Sequence, residues 1–596
     1  MRKIYKALVV GSGAAAYGCA DWLYKEGIKD IVIVTEGRLS GTSRNTGSDK
    51  QTYYKISMDG FIADSPYKMA MDMFAGGSCD GEKMFLEALH SQRCFLRLCE
   101  YGVGFPTDEF GGYPGYKTDH DDTLRATSIG PLTSKRMTEK LEKVVLEKNG
   151  TPILDNKLVI KILTHNNRAY GVRVLDKTNN SLENIYAENV ICATGAPACI
   201  YEDSVYPISQ HGMTGVLIDA GVRLCNFTQW QYGMASVDFR WNVSGSFMQV
   251  VPRFVSVDEN GEEYEFLSSC FDDIHEAYSM VFLKGYQWPF SYGKINGSSR
   301  IDLAVHGEMI KGRRVYLDYK KNPEGFDFEK LCDEAKEYLN ATKALADTPV
   351  ERLRKLNAKA IDVYLRQGID ISSEMLRIAV CAQHNNGGVY TDRNFQSDID
   401  GLYVIGEASG SFGLVRPGGS ALNDTQISGL VCAKHIKNKR GSEFCESIYK
   451  VFDIDGTSDF ETDTTVDYSY FKKKMSRLAS FKRDYDGCVR LLEEISSVVS
   501  KYPFRHRSLY DYYLDRDMLI SMKALLEAIV SELPETGSRG GSVFMKDGAV
   551  AEENLFYRDC MTVTSKGTVE YIKVTPVPYV QKPFELYLNE VDENYN

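Results

Sequence analysis

Long hydrophobic runs are missing from this sequence. No stretch of about 18 apolar residues occurs along its 596 positions, so no segment reads as a bilayer span. Paired cysteines are missing too: the 14 cysteines are scattered without one C-x-x-C. That excludes an iron–sulfur or zinc site built on such spacing and fits free thiols in a reducing cytoplasm. Positive charge is in short supply, with 70 Lys and Arg against 82 Asp and Glu and a net charge of -12. This balance favours solubility and excludes nucleic acid as the primary partner. No internal repeat and no low-complexity segment interrupts the chain. What remains is an ordinary globular composition, 43% hydrophobic and 26% charged. It is spread over more chain than one core usually organises, so several structural regions are expected.

The opening MRKIYKALVVGSGAAA has the basic start and short apolar run of an export signal, but it leads into a glycine-rich turn and reads better as fold. The apolar run Tyr5 to Val10, the turn Gly11-Ser12-Gly13-Ala14-Ala15-Ala16, a helical stretch Tyr17 to Glu26 closed by Gly27, and the strand Asp30 to Val34 make a βαβ unit. KLVIKILTH and AYGVRVLDK read as hairpin strands, NVICATGA as a buried strand, and Gly401 to Gly406 as a further strand with a helix after Leu422. The nucleotide-binding core is therefore split by an inserted domain. Beyond Arg440 the pattern turns helical. Met518, Met522, Leu525, Ile529 and Leu533 share one face, with Pro534 and Gly537 as stop signals. These methionines read as core.

Gly11-x-Gly13-x-x-Ala16 carries the chemistry of this first unit. One glycine permits the tight turn, and the second lets backbone approach a pyrophosphate at a helix N-terminus, where Ala14 and Ala15 offer amides. Glu36 ends the second strand, where an acid can take ribose hydroxyls. The unit predicts dinucleotide binding.

Several further segments resemble the flavoprotein-subunit family of succinate dehydrogenase, fumarate reductase and L-aspartate oxidase, and the likeness runs over almost the whole chain. Thr35-Glu36-Gly37-Arg38 through Gly41-Thr42-Ser43 is similar to that family's isoalloxazine-contacting loop, and Ala193-Thr194-Gly195-Ala196 to its strand-end A-T-G. Gln383-His384-Asn385-Asn386-Gly387-Gly388-Val389 resembles its H-x-x-G-G segment. Gly401 to Glu407 with Arg416-Pro417-Gly418-Gly419-Ser420-Ala421-Leu422 resembles its G-L-Y-x-x-G-E and R-x-G-G-x-x-L pair, and Ser538-Arg539-Gly540 its S-R-G. The resemblance implies an α/β fold: a Rossmann-like FAD-binding domain interrupted by an α+β capping domain and followed by a C-terminal helical region. The corresponding division is 1–226 and 380–438 for FAD binding, 227–379 for the cap, 439–540 for the helices and 541–596 for a C-terminal tail.

By the same resemblance, His384 and Arg416 hold a substrate carboxylate or carbonyl beside flavin N5. Glu407 contacts ribityl or ribose hydroxyls, Ser420, Ala421 and Leu422 face the pyrimidine end of the ring, and Arg300 delivers a proton, with Tyr286 and His306 next in line. The sequence also departs from the family. Gln231 stands where dicarboxylate-handling members place a histidine, and no threonine–glutamate pair matches near Val250-Val251-Pro252. Succinate, fumarate and aspartate therefore fit poorly. The segment Gly285 to Phe290 reads as either an aromatic pocket or ordinary core. No histidine lies between Leu39 and Ser48, where covalent members attach flavin, so FAD is expected to be non-covalent; Gly212 replaces the family's aspartate.

The resulting expectation is a cytoplasmic FAD-dependent oxidoreductase of the fumarate reductase type. It would move hydride between flavin and a small organic acid or activated alkene, with no metal, and with an electron donor or acceptor protein as a possible partner. An oxidase or dehydrogenase of amino acids, or a non-catalytic electron-transfer subunit, are the alternatives.

Overall fold

The strand Ala7–Val10 is central in a five-stranded parallel sheet whose order is 402–404, 190–192, 7–10, 31–34, 153–154. The structure is a computed structural model that describes residues 3–58, 62–118, 121–439, 446–453, 466–501 and 508–579. Every residue of Ala7–Val10 and Ile31–Val34 is buried, as strands covered on both faces require. That is why these strands are unbroken apolar runs rather than alternating ones. The helix Ala14–Lys25 packs against Ser420–Asn438 so closely that a Cβ on Gly429 would come within 2.9 Å of the Cys19 Cα. The helix Gly81–Glu100 locks both, with Arg97 pairing with Asp21 at 3.1 Å and donating to Gln426 Oε1 at 2.5 Å.

Between Val190–Cys192 and Leu402–Val404 the chain leaves this sheet and builds another. Six strands lie in the order 241–242, 230–236, 376–385, 314–318, 253–257, 263–264, with antiparallel pairing throughout. In the pairing of Trp230–Ser236 with Leu376–Asn385, Gln231 stands opposite His384, and a bulge follows Gln231. Such a bulge re-aims the side chains beside it. The expected hairpin strands are Lys157–His165 and Arg168–Asp176, in a sheet of their own with Ser181–Ala187 and Ile4–Tyr5.

The C-terminal part returns to the core. Strands Cys560–Ser565 and Thr568–Lys573 form a hairpin whose first strand pairs with Leu224–Cys225. Residues 440–445 and 580–596, within the regions read as helical and tail, lie outside the described residues. Met518, Met522, Leu525, Ile529 and Leu533 are all buried on the helix Leu509–Thr536, each burial worth roughly 1.5–3 kcal/mol. Pro534 does not stop this helix, which ends at Thr536 with Gly537 at its C-terminus. Proline there removes the N–H that would bond the Val530 carbonyl and crowds that carbonyl, and only the last two residues of the helix follow it. Arg539 of the S-R-G segment is fully buried against Glu532, whose other oxygen accepts from Thr228 Oγ1 at 2.8 Å. This segment is a clamp between the last helix and the entry to the capping strands. Among the described residues no helix is long and apolar enough to cross a membrane.

Candidate active site and flavin cavity

The two large sheets face each other across a cavity of about 400 Å³. Its first wall is backbone. Gly11 has φ of 117°, and a Cβ there would meet the Ala193 carbonyl oxygen at 2.5 Å, so the turn admits only glycine. Gly13 is the N-cap of Ala14–Lys25 and supplies no side-chain cap; the one nearby hydroxyl, Ser43 Oγ, accepts from the Ala14 N–H at 3.2 Å. The helix thus opens its first turn, positive end foremost, onto the cavity. Thr42 Oγ1 donates to Gln210 Oε1 at 3.0 Å, and Gln210 Nε2 donates to the Thr194 carbonyl at 2.7 Å. Thr194 Oγ1 is buried without a partner among the described residues. Glu36 also lines this wall, held by the Tyr510 hydroxyl and by Lys177 Nζ at 3.3 Å. A helix N-terminus without a cap from its own N-cap residue, glycines at the turn and an orphaned hydroxyl fit the pyrophosphate and sugars of FAD.

The second wall is side chains from scattered positions: Gln231, Trp288, Pro289, Gln383, His384, Glu407 and Arg416. Arg416 NH2 donates to Gln231 Oε1 at 2.7 Å, and its Nε is buried without a partner among the described residues. Trp288 Nε1 donates to Gln383 Oε1 at 2.8 Å. Asn386 gives its Nδ2 to the carbonyls of Gly413 and Leu414, at 3.0 and 3.4 Å, so its oxygen faces His384 Nδ1 at 3.1 Å. Nδ1 therefore carries the proton in neutral His384, and the lone pair is on Nε2. Nε2 is buried, has no hydrogen-bond partner among the described residues, and lies 4.0 Å from Glu407 Oε1. That carboxylate oxygen accepts from the Tyr206 hydroxyl and from the Asn385 N–H at 3.0 Å.

Burial dominates the electrostatics here. It lifts the Glu407 carboxyl from 4.5 to about 7 against the pull of Tyr206 and backbone donors. It lowers Arg416 to about 10, and burial together with the Arg416 charge holds His384 well below 6.5. At neutral pH the wall thus presents one guanidinium, one neutral imidazole with an open acceptor and one carboxyl that titrates near the working pH.

The structure gathers Gly11, Gly13, Ala14, Ala15, Glu36, Thr42, Ser43, Thr194, Gly195, His384, Glu407, Arg416, Ala421 and Leu422 around the cavity. Gly37, Arg38 and Ser420 stand behind it. Gly37 offers its carbonyl to Ser12 Oγ, Arg38 Nε is taken by Glu142 at 2.6 Å, and Ser420 Oγ donates to the Pro417 carbonyl at 2.8 Å. Arg300 does not line the cavity: its guanidinium donates to Glu276 at 3.2 Å and to the Cys270 carbonyl at 2.7 Å and lies 4.0 Å over the Phe271 ring. Tyr286 and His306 do not line the cavity either; the His306 ring packs on Phe481, 5.0 Å away. The Gly285 to Phe290 segment divides, with Trp288 and Pro289 on the cavity and Phe290 in the core. Sequence reasoning gave no role to Tyr206, Asn386 or Gln210, which orient the lining groups. Asn386 adjoins a flagged histidine, whereas nothing local marks Tyr206 or Gln210.

Comparison with known proteins agrees with this arrangement. The FAD binding domain family matches residues 6–422, well over half of the chain. An uncharacterized FAD-dependent oxidoreductase of Methanocaldococcus jannaschii is 24% identical over 521 residues, covering 82% of this chain and 84% of that protein. The L-aspartate oxidase of Synechocystis is 23% identical over 511 residues, covering 83% and 81%. The flavoprotein of E. coli quinol fumarate reductase has the same fold, with a TM-score of 0.66 at 16% identity over 98% of each chain. The chain belongs to the FAD binding domain family and is an FAD-dependent oxidoreductase of the fumarate reductase and L-aspartate oxidase type.

Proposed function

We propose that this enzyme exchanges hydride with a small organic acid or activated alkene other than a C4 dicarboxylate. The observation that carries the reading is the meeting of Arg416, His384 and Gln231 on the second wall of the FAD cavity, with a neutral amide, Gln231, as the neighbour of the guanidinium. When bound, the flavin supplies hydride-exchanging chemistry. Arg416 offers a planar fork to a carboxylate or carbonyl oxygen. Burial keeps that charge unscreened, so negative charge gathering on the bound group in the transition state is stabilised where it forms. The absence of a histidine between Leu39 and Ser48 supports non-covalent FAD, and acid precipitation of the protein should then release it into solution.

A second reading is favoured by one observation, the open acceptor at His384 Nε2. An acid bearing an adjacent N–H or O–H would set its carboxylate on Arg416 and its donor on Nε2, which would take the proton as the substrate is oxidised. In both readings a separate electron donor or acceptor completes the cycle. The test is anaerobic flavin spectroscopy in both directions, following reoxidation of the reduced enzyme by simple enoates and bleaching of the oxidised enzyme by amino and hydroxy acids. Rapid reaction in one direction supports the corresponding reading. Flavin that responds to neither panel while exchanging electrons with carriers would reduce the chain to an electron-transfer subunit.

A further inference from the structure

Two glutamines and a tryptophan of the second wall give no hydrogen bond to substrate in the chemistry above, and each glutamine is held in one orientation. Arg416 occupies the Gln231 oxygen at 2.7 Å, so Gln231 turns its Nε2 donors away, and among the described residues they donate to nothing. Trp288 occupies the Gln383 oxygen at 2.8 Å, and Gln383 Nε2 is buried without a partner. An amide whose oxygen is taken has only N–H groups left to offer. The two residues flank His384 in space, Gln383 as its chain neighbour and Gln231 as its cross-strand partner. Gly233, two residues beyond Gln231, keeps room for the pair: a Cβ there would lie 2.5 Å from the Trp288 ring and 2.9 Å from Gln383 Nε2.

We propose that Gln231 and Gln383, set by Arg416 and Trp288, form a subsite for an uncharged hydrogen-bond acceptor of the substrate, a carboxamide or ketone oxygen. It rests on the reading that Arg416 holds the substrate's acidic or carbonyl group. Buried N–H groups without acceptors are rare, because each forfeits a hydrogen bond made in water. Gln383 Nε2 is such a group, and a methyl beside the pair would leave it unmatched. A second carboxylate would match their geometry and still lack a cation. Arg416 and Lys157 are the cations lining the cavity, and Lys157 is engaged with Asp176 at 2.6 Å on the nucleotide side. The Glu407 carboxylate near His384 would oppose a second negative charge. Lys294 lines a separate chamber of about 20 Å³ beyond Gln231 and Trp288 and is itself engaged. A neutral oxygen satisfies the donors and needs no counter-charge.

Three probes share one four-carbon enoate skeleton and differ at one end: fumarate ends in a carboxylate, fumaramate in a carboxamide and crotonate in a methyl. Each is titrated into the FAD-loaded protein, and its dissociation constant is read from the perturbed flavin absorbance. Fumaramate is expected to bind about tenfold or more tightly than either of the others, the worth of one good hydrogen bond. In Gln383→Leu that preference collapses while the crotonate constant holds. Fumarate binding as tightly as fumaramate would show that the subsite accepts charge, and crotonate doing so would show that the donors are idle. Either result overturns the subsite and leaves the Arg416 reading standing. If none of the three perturbs the flavin, both fall. The wild-type comparison decides the matter even if the variant fails to fold.

Discussion

The two walls of the cavity recognise ligands by different means. The parallel-sheet wall works through backbone: Gly11, Gly13 and the first turn of Ala14–Lys25 bind by where their amides point and by the absence of side chains. The second wall works through side chains from five separate segments, contributed by both the FAD-binding and the capping parts and oriented by one another: Arg416 by Gln231, Gln383 by Trp288, His384 by Asn386, Glu407 by Tyr206. A backbone site fixes a spacing in sequence and serves one invariant group, the pyrophosphate. A side-chain site is free to change its ligand one residue at a time. The first wall therefore governs cofactor loading and the second substrate choice, and substitutions on each should separate the two.

The largest effect belongs to the first wall. Gly13→Val puts a branched side chain beside Ser43 in the path of the pyrophosphate, and the purified variant is expected to be colourless. Retention of stoichiometric flavin by a folded Gly13→Val protein would misplace the phosphates. The matching glycine of the second wall is Gly233. Gly233→Ala should displace Trp288, cost about 1–3 kcal/mol in stability through overpacking, and impair substrate turnover while FAD stays bound. Flavin content and turnover measured on one preparation test the separation, and loss of FAD from this variant would break it.

Glu407 gives an effect of similar size that is visible in the apoprotein. Its folded form holds the proton more tightly than the unfolded chain, since burial lifts it from 4.5 to about 7. Its contribution to stability is full below pH 4.5 and is lost as pH rises through about 7, in all about 3 kcal/mol. Urea melts of the apoprotein and of Glu407→Gln at about pH 5 and about pH 8 measure the difference, and the variant should lose less stability between them. Equal slopes for the two proteins would show that Glu407 is charged throughout. The smallest effect is that of Arg300→Ala, whose ion pair with Glu276 is about a third exposed on both sides. Stability should change by no more than about 1 kcal/mol, and flavin turnover should stay near that of the parent. A collapse in turnover alone would return Arg300 to the chemistry.

Legibility in the sequence follows the same division. The βαβ unit was readable because a buried parallel strand must be apolar throughout, and because a tight turn under a pyrophosphate admits few residues besides glycine and alanine. The strands Ala7–Val10 and Ile31–Val34 and the helix Ala14–Lys25 lie where the pattern put them, with ends that differ by up to three residues. On the second wall, His384, Glu407 and Arg416 were legible through resemblance alone. Arg300 came from resemblance as well, and resemblance gives a residue's address and not which neighbours claim its side chain; here Glu276 and Phe271 do. The roles of Gln383 and Tyr206 depend on pairings with Trp288, 95 positions away, and Glu407, 201 positions away, which no local pattern encodes.

The central claim, that the cluster around Arg416 is the substrate wall of the flavin cavity, is tested most directly by ligand titration of one variant. Crotonate added anaerobically to the FAD-loaded parent should perturb the flavin band saturably. In Arg416→Ala, at equal flavin content, the midpoint should move to about 10–100-fold higher concentration, the worth of a charge-assisted hydrogen bond. An unchanged midpoint in Arg416→Ala would place the acid-binding group elsewhere and contradict the account.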